Sequence, residues 1–321
     1  MELLQKIVNR GYPTEYLLSR IRGRRSYLVK DLRPILYTEA PLEYLSSTRY
    51  RGPISDRSVE GIWIHLLEEF KWIYHQMNSE LQDIFNPFFQ YLELRTLFFC
   101  LRYKAGKEDG KMEELLYFSL LSEKIKKILR DSETILSAIE DIEDVFKPLS
   151  DEPISFKEIF VEEGLKEVEK RLMNIYLEHV INLKLHPTLK DFFIHMIDLR
   201  NIIILYKHIW WNIRVKPYFI KGSRIKESMF RQIIDRGEIF EVSPIIARLT
   251  GIKIENPDAT SVENSLLKWV TRFLRRAGRE PSGIGFILDY LWRCYMEARN
   301  LSIILHGKDM GKDVLAGELV Q

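Results

Sequence analysis

The sequence predicts an all-α fold, and three observations carry that prediction. Glycine and proline are sparse, at 16 and 12 in 321 residues, while long stretches are rich in Leu, Ile, Glu, Lys and Arg. Apolar residues recur at spacings of three and four, the period of one helix face. Alternation with period two, the mark of a half-buried strand, is nearly absent.

Taken in order, residues 62–77 (IWIHLLEEFKWIYHQM), 165–183 (LKEVEKRLMNIYLEHVINL) and 262–276 (VENSLLKWVTRFLRR) each read as an amphipathic helix with a polar flank. Each is followed by a break and then a second, more apolar helix. The breaks are placed at Asn86-Pro87, His186-Pro187 and Pro281-Ser282-Gly283, so each pair predicts a helical hairpin. Further turns are expected where proline, glycine and small polar residues collect, at 51–55, 105–110, 148–155, 217–223, 256–261 and 279–285.

The second helices carry a repeated motif. Residues 91–104 (YLELRTLFFCLRYK), 196–208 (MIDLRNIIILYKH) and 295–308 (YMEARNLSIILHGK) share an acid, one apolar residue, an Arg, a Thr or Asn, and a mostly apolar run closing on a base. The acids Glu93, Asp198 and Glu297 lie 105 and 99 residues apart, the period of a domain-sized repeat. A weaker match between residues 41–45 (PLEYL) and 244–248 (PIIAR) keeps nearly the same register. Three tandem homologous helical domains follow, at 1–110, 111–222 and 223–321.

Acid and arginine in each motif (Glu93 and Arg95, Asp198 and Arg200, Glu297 and Arg299) stand two positions apart. On a helix they point roughly 200° from one another and cannot pair together. The runs behind them are apolar nearly all round, which marks a helix buried on most faces. A charge at the entrance of such a helix needs an opposite charge or a backbone group as partner. Three copies of one acid therefore point to packing and register, not to three catalytic centres.

Composition excludes several classes of function. With 46% hydrophobic residues the chain is a folding one, and 48 Lys+Arg against 46 Asp+Glu leaves a net charge of only +2. Cys100 and Cys294 have no paired Cys/His spacing, so neither a disulfide framework nor a zinc site is expected, and a reducing cytosolic compartment fits. No run reaches the roughly 18–20 apolar residues of a spanning helix, and the first residues lack a signal-peptide core. Residues 106–111 (GKEDGK) fall one residue short of a phosphate-binding loop, and Gly283-Ile284-Gly285 lacks the third glycine of a dinucleotide fingerprint. The seven histidines include no HExxH, and there is no GxSxG elbow. No catalytic residue, cofactor or metal is expected.

Charge is instead regional. Arg20, Arg22, Arg24 and Arg25 crowd into YLLSRIRGRRSYL, and residues 200–236, which include Arg214 and Lys216, hold nine bases against Glu227 and Asp235, whereas 131–169 are acidic. Basic patches of this kind meet nucleic acid phosphates, anionic headgroups or acidic protein faces, or simply solvate a helix face. No known nucleic acid reader motif surrounds RIRGRRS.

Residues 16–26 (YLLSRIRGRRS), 198–202 (DLRNI) and 297–308 (EARNLSIILHGK) resemble, in order and spacing, the C-type subunits of the archaeal/vacuolar-type (A/V-type) rotary ATPases, whose eukaryotic counterparts are the d-type subunits. The E-x-R-N-L…G-K stretch is the most specific. The resemblance implies a pseudo-threefold helical funnel without enzymatic activity of its own. It also implies a cytoplasmic place, peripheral to the membrane, on the proteolipid ring of the rotor. There it would form a socket for a shaft of D- and F-type subunits and transmit torque for ATP-coupled proton or sodium transport. Arg95-Thr96, the tail at 314–321 and Trp210-Trp211 depart from the family pattern. Arg20, Arg22, Arg24, Arg25, Arg214 and Lys216 are the expected partner-binding residues, and no nucleic acid is expected. The competing class is a helical scaffold or nucleic-acid-binding module built on Arg20 to Arg25.

Overall fold

The computed structural model describes residues 3–6, 11–51, 60–150, 153–237, 239–254, 258–307 and 310–320. Sixteen α-helices lie among them and no strand, the nearest approach being an isolated antiparallel bridge between Leu4 and Leu121. In chain order they are α1 (Thr14–Arg25), α2 (Arg33–Tyr37), α3 (Pro41–Ser46), α4 (Glu60–Gln76), α5 (Ser79–Ala105), α6 (Asp109–Phe118), α7 (Glu123–Asp131) and α8 (Ile135–Phe146). There follow α9 (Phe156–Glu163), α10 (Leu165–Ile181), α11 (Pro187–Trp210), α12 (Glu227–Arg236), α13 (Val242–Thr250), α14 (Ala259–Ala277), α15 (Ile284–His306) and α16 (Lys312–Glu318).

Local chemistry sets many of these limits. The Leu81 N–H donates to the Asn78 side chain at the start of α5, and reciprocal capping boxes (Thr134 with Ser137, Asp258 with Ser261) open α8 and α14. Pro187 stands at the first position of α11, where its missing N–H costs nothing. Gly237 and Gly251, both at φ 70°, stop α12 and α13 in the left-handed conformation.

The expected helices at 62–77, 165–183 and 262–276 are α4, α10 and α14, and two of the three breaks precede α11 and α15 as read. Asn86-Pro87 is the exception, since α5 runs through it without stopping. A proline inside a helix costs about 3 kcal/mol. Phe85, Phe88 and Phe89, all fully buried around it, gain more than that by staying in one helix. The true break lies nine residues earlier, at Met77-Asn78. Most of the turn expected at 51–55, and part of those at 148–155 and 256–261, lies outside the described residues.

Contacts divide the chain into two units, one of residues 1–14 and 67–189, the other of 15–66 and 190–321. The repeat boundaries at 110 and 222 fall inside these units. In the first, α5 is the central helix, and the Tyr176 hydroxyl of α10 donates to the Pro87 carbonyl at 2.6 Å. An extended N-terminal piece closes one side: the Gln5 N–H donates to the Leu120 carbonyl and the Ser122 N–H to that of Leu3. Gly11, at φ 60°, lies so near the Met77 carbonyl that a Cβ would sit 2.2 Å from its oxygen, so only glycine fits.

The second unit is organised by the α14–α15 hairpin. A Cβ on Gly285 would stand 2.1 Å from the Ala277 carbonyl oxygen, which is how closely the two helices approach at their joined ends. Trp292 is buried in this hairpin with its indole N–H donated to the Thr271 hydroxyl at 2.9 Å. Ile284 and Gly285 begin α15, so of the Gly-Ile-Gly triplet only Gly283, at φ 77°, is in the turn.

Candidate functional site

The three repeated acids sit mid-helix on α5, α11 and α15, each almost wholly buried. All three do one thing in common: each accepts a backbone N–H from a segment outside its own helix. Glu93 Oε1 accepts from Leu120 at 2.8 Å, Asp198 Oδ1 from Arg224 at 2.9 Å, and Glu297 Oε2 from Val29 at 3.1 Å. The first two donors lie 27 and 26 residues downstream of their acids. The third lies 268 residues upstream.

The remaining partners differ. Among the described residues no cation contacts Glu93 directly, and its Oε2 has no hydrogen-bond partner. Burial pushes this carboxyl up to about 7, against the pull of the Leu120 N–H, the Thr96 hydroxyl and the more distant Lys126 and Lys71. Asp198 Oδ1 also accepts from the Ser223 hydroxyl at 2.6 Å, while the Arg224 guanidinium stands 3.9 Å from Oδ2. Burial raises this carboxyl too, with Ser223 and Arg224 opposing it. Glu297 Oε1 accepts from Arg49 Nε at 3.1 Å and from the Tyr50 hydroxyl at 2.9 Å. Its carboxyl is again raised by burial, and Arg49, Tyr50 and the Val29 N–H pull it back.

Three residues after two of the acids, an asparagine makes a second clamp. Asn201 Nδ2 donates to the Ile220 carbonyl and its Oδ1 accepts the Ile220 N–H, both at 2.9 Å. Asn300 holds Val320 in the same way at 2.7 and 3.1 Å. Each side-chain amide thus imitates one rung of a β-ladder for an extended segment that has no strand beside it. The first repeat has Thr96 here, whose hydroxyl bonds to the Glu93 carboxyl instead. There the N-terminal residues pair with 120–122 through their own backbone.

The arginines of the motif point elsewhere, as their spacing requires. Arg95 is exposed, Arg200 is intermediate, and Arg299 reaches Asn264 Oδ1 at 3.2 Å, the Glu318 carbonyl at 3.3 Å and Glu263 at 3.8 Å. The Asn clamps were visible in sequence only as a Thr-or-Asn column. Arg49 and Tyr50 gave no signal, because nothing in the chain relates them to a residue some 250 positions away.

The basic residues at 20–25 occupy the last two turns of α1, where positive charge suits the helix dipole. They do not form one patch. Arg20 donates to the Tyr16 hydroxyl on its own helix at 3.1 Å. Arg22 and Arg25 instead lie over the Phe286 ring, 5.7 and 5.4 Å from its centroid, and Arg25 is 3.5 Å from Asp289. Arg214 and Lys216 are exposed on the connection between α11 and α12, beside Trp210, Trp211, Ile213 and Val215, all exposed as well.

Cys100 and Cys294 are buried and not joined in a disulfide. Among the described residues no group of three or more His, Cys, Asp or Glu could hold a metal ion, and no helix is long and apolar enough to cross a membrane.

No curated protein matches the chain. The family model described as ATP synthase (C/AC39) subunit matches residues 20–315, from the first arginine of α1 to Leu315 of α16 and through all three acid-centred motifs. The chain belongs to the ATP synthase (C/AC39) subunit family, the C/d subunits of A/V-type ATPases.

Proposed function

We propose that this chain is a non-catalytic central-stalk component of the rotor, linking the membrane proteolipid ring to a shaft of D- and F-type subunits. In that place it transmits torque for ATP-coupled proton or sodium transport. The observation that carries the reading is the family match across residues 20–315. Its three buried acids each tie a separate segment to a central helix, which is the chemistry of a stiff adaptor. The recurrence of the acid-centred motif on α5, α11 and α15 supports reading the chain as three tandem helical domains, 1–110, 111–222 and 223–321, arranged as a pseudo-threefold funnel on the cytoplasmic face of the membrane, with each acid's backbone tie reaching from one domain into another.

Ring and shaft would be met by surfaces. Two are candidates: the exposed part of the Arg20, Arg22, Arg24 and Arg25 cluster, and the connection after α11 that presents Trp210 and Trp211 with Arg214 and Lys216. Tryptophan with flanking cations is the side-chain mixture found at membrane interfaces. Co-purification of the chain with D- and F-type subunits and with detergent-solubilised ring tests the reading. Assembly should be retained by wild type and weakened in a salt-sensitive way by charge reversal at Arg214 and Lys216. Absence of binding to both shaft and ring, with salt-sensitive retention on nucleic acid, would overturn it.

A further inference from the structure

A cavity of about 570 Å³ in the second unit is lined by five cations (Arg22, Arg25, Lys30, Arg275 and Arg293) and by one acid, Glu297. That acid is already occupied by Arg49, Tyr50 and the Val29 N–H. Asp289 is shared by two of these arginines, Arg293 Nε at 2.8 Å and Arg25 Nη1 at 3.5 Å, both on Oδ2. Among the described residues, no other carboxylate forms an ion pair with these four guanidinium ions and the ammonium.

The arginines are placed before any ligand arrives. Phe286 supports Arg22 and Arg25 on one ring, and a ring fixes a guanidinium without neutralising it. Arg293 is held one turn along α15 from Asp289, and Arg275 comes from the last turn of α14. Their closeness is unfavourable: burial first, then the neighbouring Arg293, depresses the basicity of both Arg25 and Arg275. The neutral side chains of the wall are engaged elsewhere, Ser26 with the Gly23 carbonyl. Asn300 is committed to Val320 and Thr271 to Trp292 and the Leu267 carbonyl.

We propose that this cavity is a binding site for an anion carrying two or more phosphate groups. Guanidinium forks match phosphate oxygens in geometry and charge, and the volume exceeds that of a single phosphate while suiting an oligophosphate or a multiply phosphorylated headgroup. The site does not depend on the rotor reading. A chain that failed to bind shaft or ring could still bind the anion, and the reverse also holds.

The test is calorimetric titration of the full chain with inorganic tripolyphosphate at low and high salt. Saturable binding with one anion per chain is expected, weakening as salt rises. Arg275→Ala with Arg293→Ala should weaken it at least tenfold. Lys124→Ala with Lys127→Ala, exposed lysines of α7, should leave it unchanged. Should the double alanine variant fold poorly, Arg275→Gln alone serves: without anion it should melt no lower than wild type, because a repulsion is relieved, and with anion it should gain less than wild type does. Vesicles containing phosphatidylinositol bisphosphate identify the source. Competition with tripolyphosphate assigns a lipid headgroup, and lack of competition assigns a soluble anion. No saturable binding, equal loss in the Lys124/Lys127 control, or retention of polyglutamate without tripolyphosphate would each overturn the proposal.

Discussion

The nodes at Glu93 and Glu297 begin from the same motif and end as opposite electrostatic solutions. Both carboxyls are buried on a central helix and both accept a backbone N–H. Glu297 is met by a guanidinium and a phenol, whereas Glu93 has Thr96 and two lysines acting from a distance. The motif therefore specifies that a segment is to be tied down. Whether the tie is an ion pair or a protonated acid is decided by what the rest of the chain delivers.

The largest effect should come from breaking the ion pair. Arg49→Ala leaves Glu297 buried without its cation, and Glu297→Ala strands Arg49, so each should cost about 3–5 kcal/mol in chemical denaturation. The two together should cost less than the sum of the singles. Strict additivity would show that the pair is not coupled.

Glu93 should respond to pH instead. Its folded value of about 7 lies above that of a free glutamate, so the folded state holds the proton more tightly. Stability is then highest below the unfolded value, declines as pH rises from about 4.5 to about 7, and is about 3 kcal/mol lower on the alkaline side. Glu93→Gln keeps the acceptor for Leu120 and cannot ionise. Its unfolding free energy should be flatter over this range, and a slope equal to wild type would assign the titration to another group.

The clamps come next. Asn201→Ala and Asn300→Ala each release one backbone N–H and one carbonyl from a buried segment, for about 1–3 kcal/mol, seen also as faster hydrogen exchange at Ile220 and Val320. Thr96→Ala should cost about 1 kcal/mol or less, since the first repeat ties the corresponding segment through residues 3–6. Arg95→Ala, on the exposed side of the same helix turn, should stay within about 0.5 kcal/mol.

Much of this was legible in the chain. Helical periodicity located α4, α10 and α14 to within a few residues, and the two-residue spacing of acid and arginine correctly sent them to different faces. Pro87 does not break α5, because the burial of Phe85, Phe88 and Phe89 around it outweighs a local signal that proline alone carries. The partners of the acids could not be read, since a backbone N–H carries no sequence signature and Arg49 is an arginine among many. Arg22 and Arg25 show the same limit. Their composition marked a basic patch, while only the fold shows that they stack on Phe286 and face two further arginines.

The Val29 to Glu297 hydrogen bond joins points near opposite ends of the chain. A ribosome releases Val29 and Arg49 early, long before their acceptor exists. The unit that contains them can mature only once residues 190–321 have emerged, whereas most of the other unit is a continuous stretch that can condense sooner. Synthesis thus leaves residues 15–66 waiting, unsatisfied and basic, for the last helices to arrive. Nascent chains stalled before α15 should keep this segment open to protease, and release past Val320 should close it.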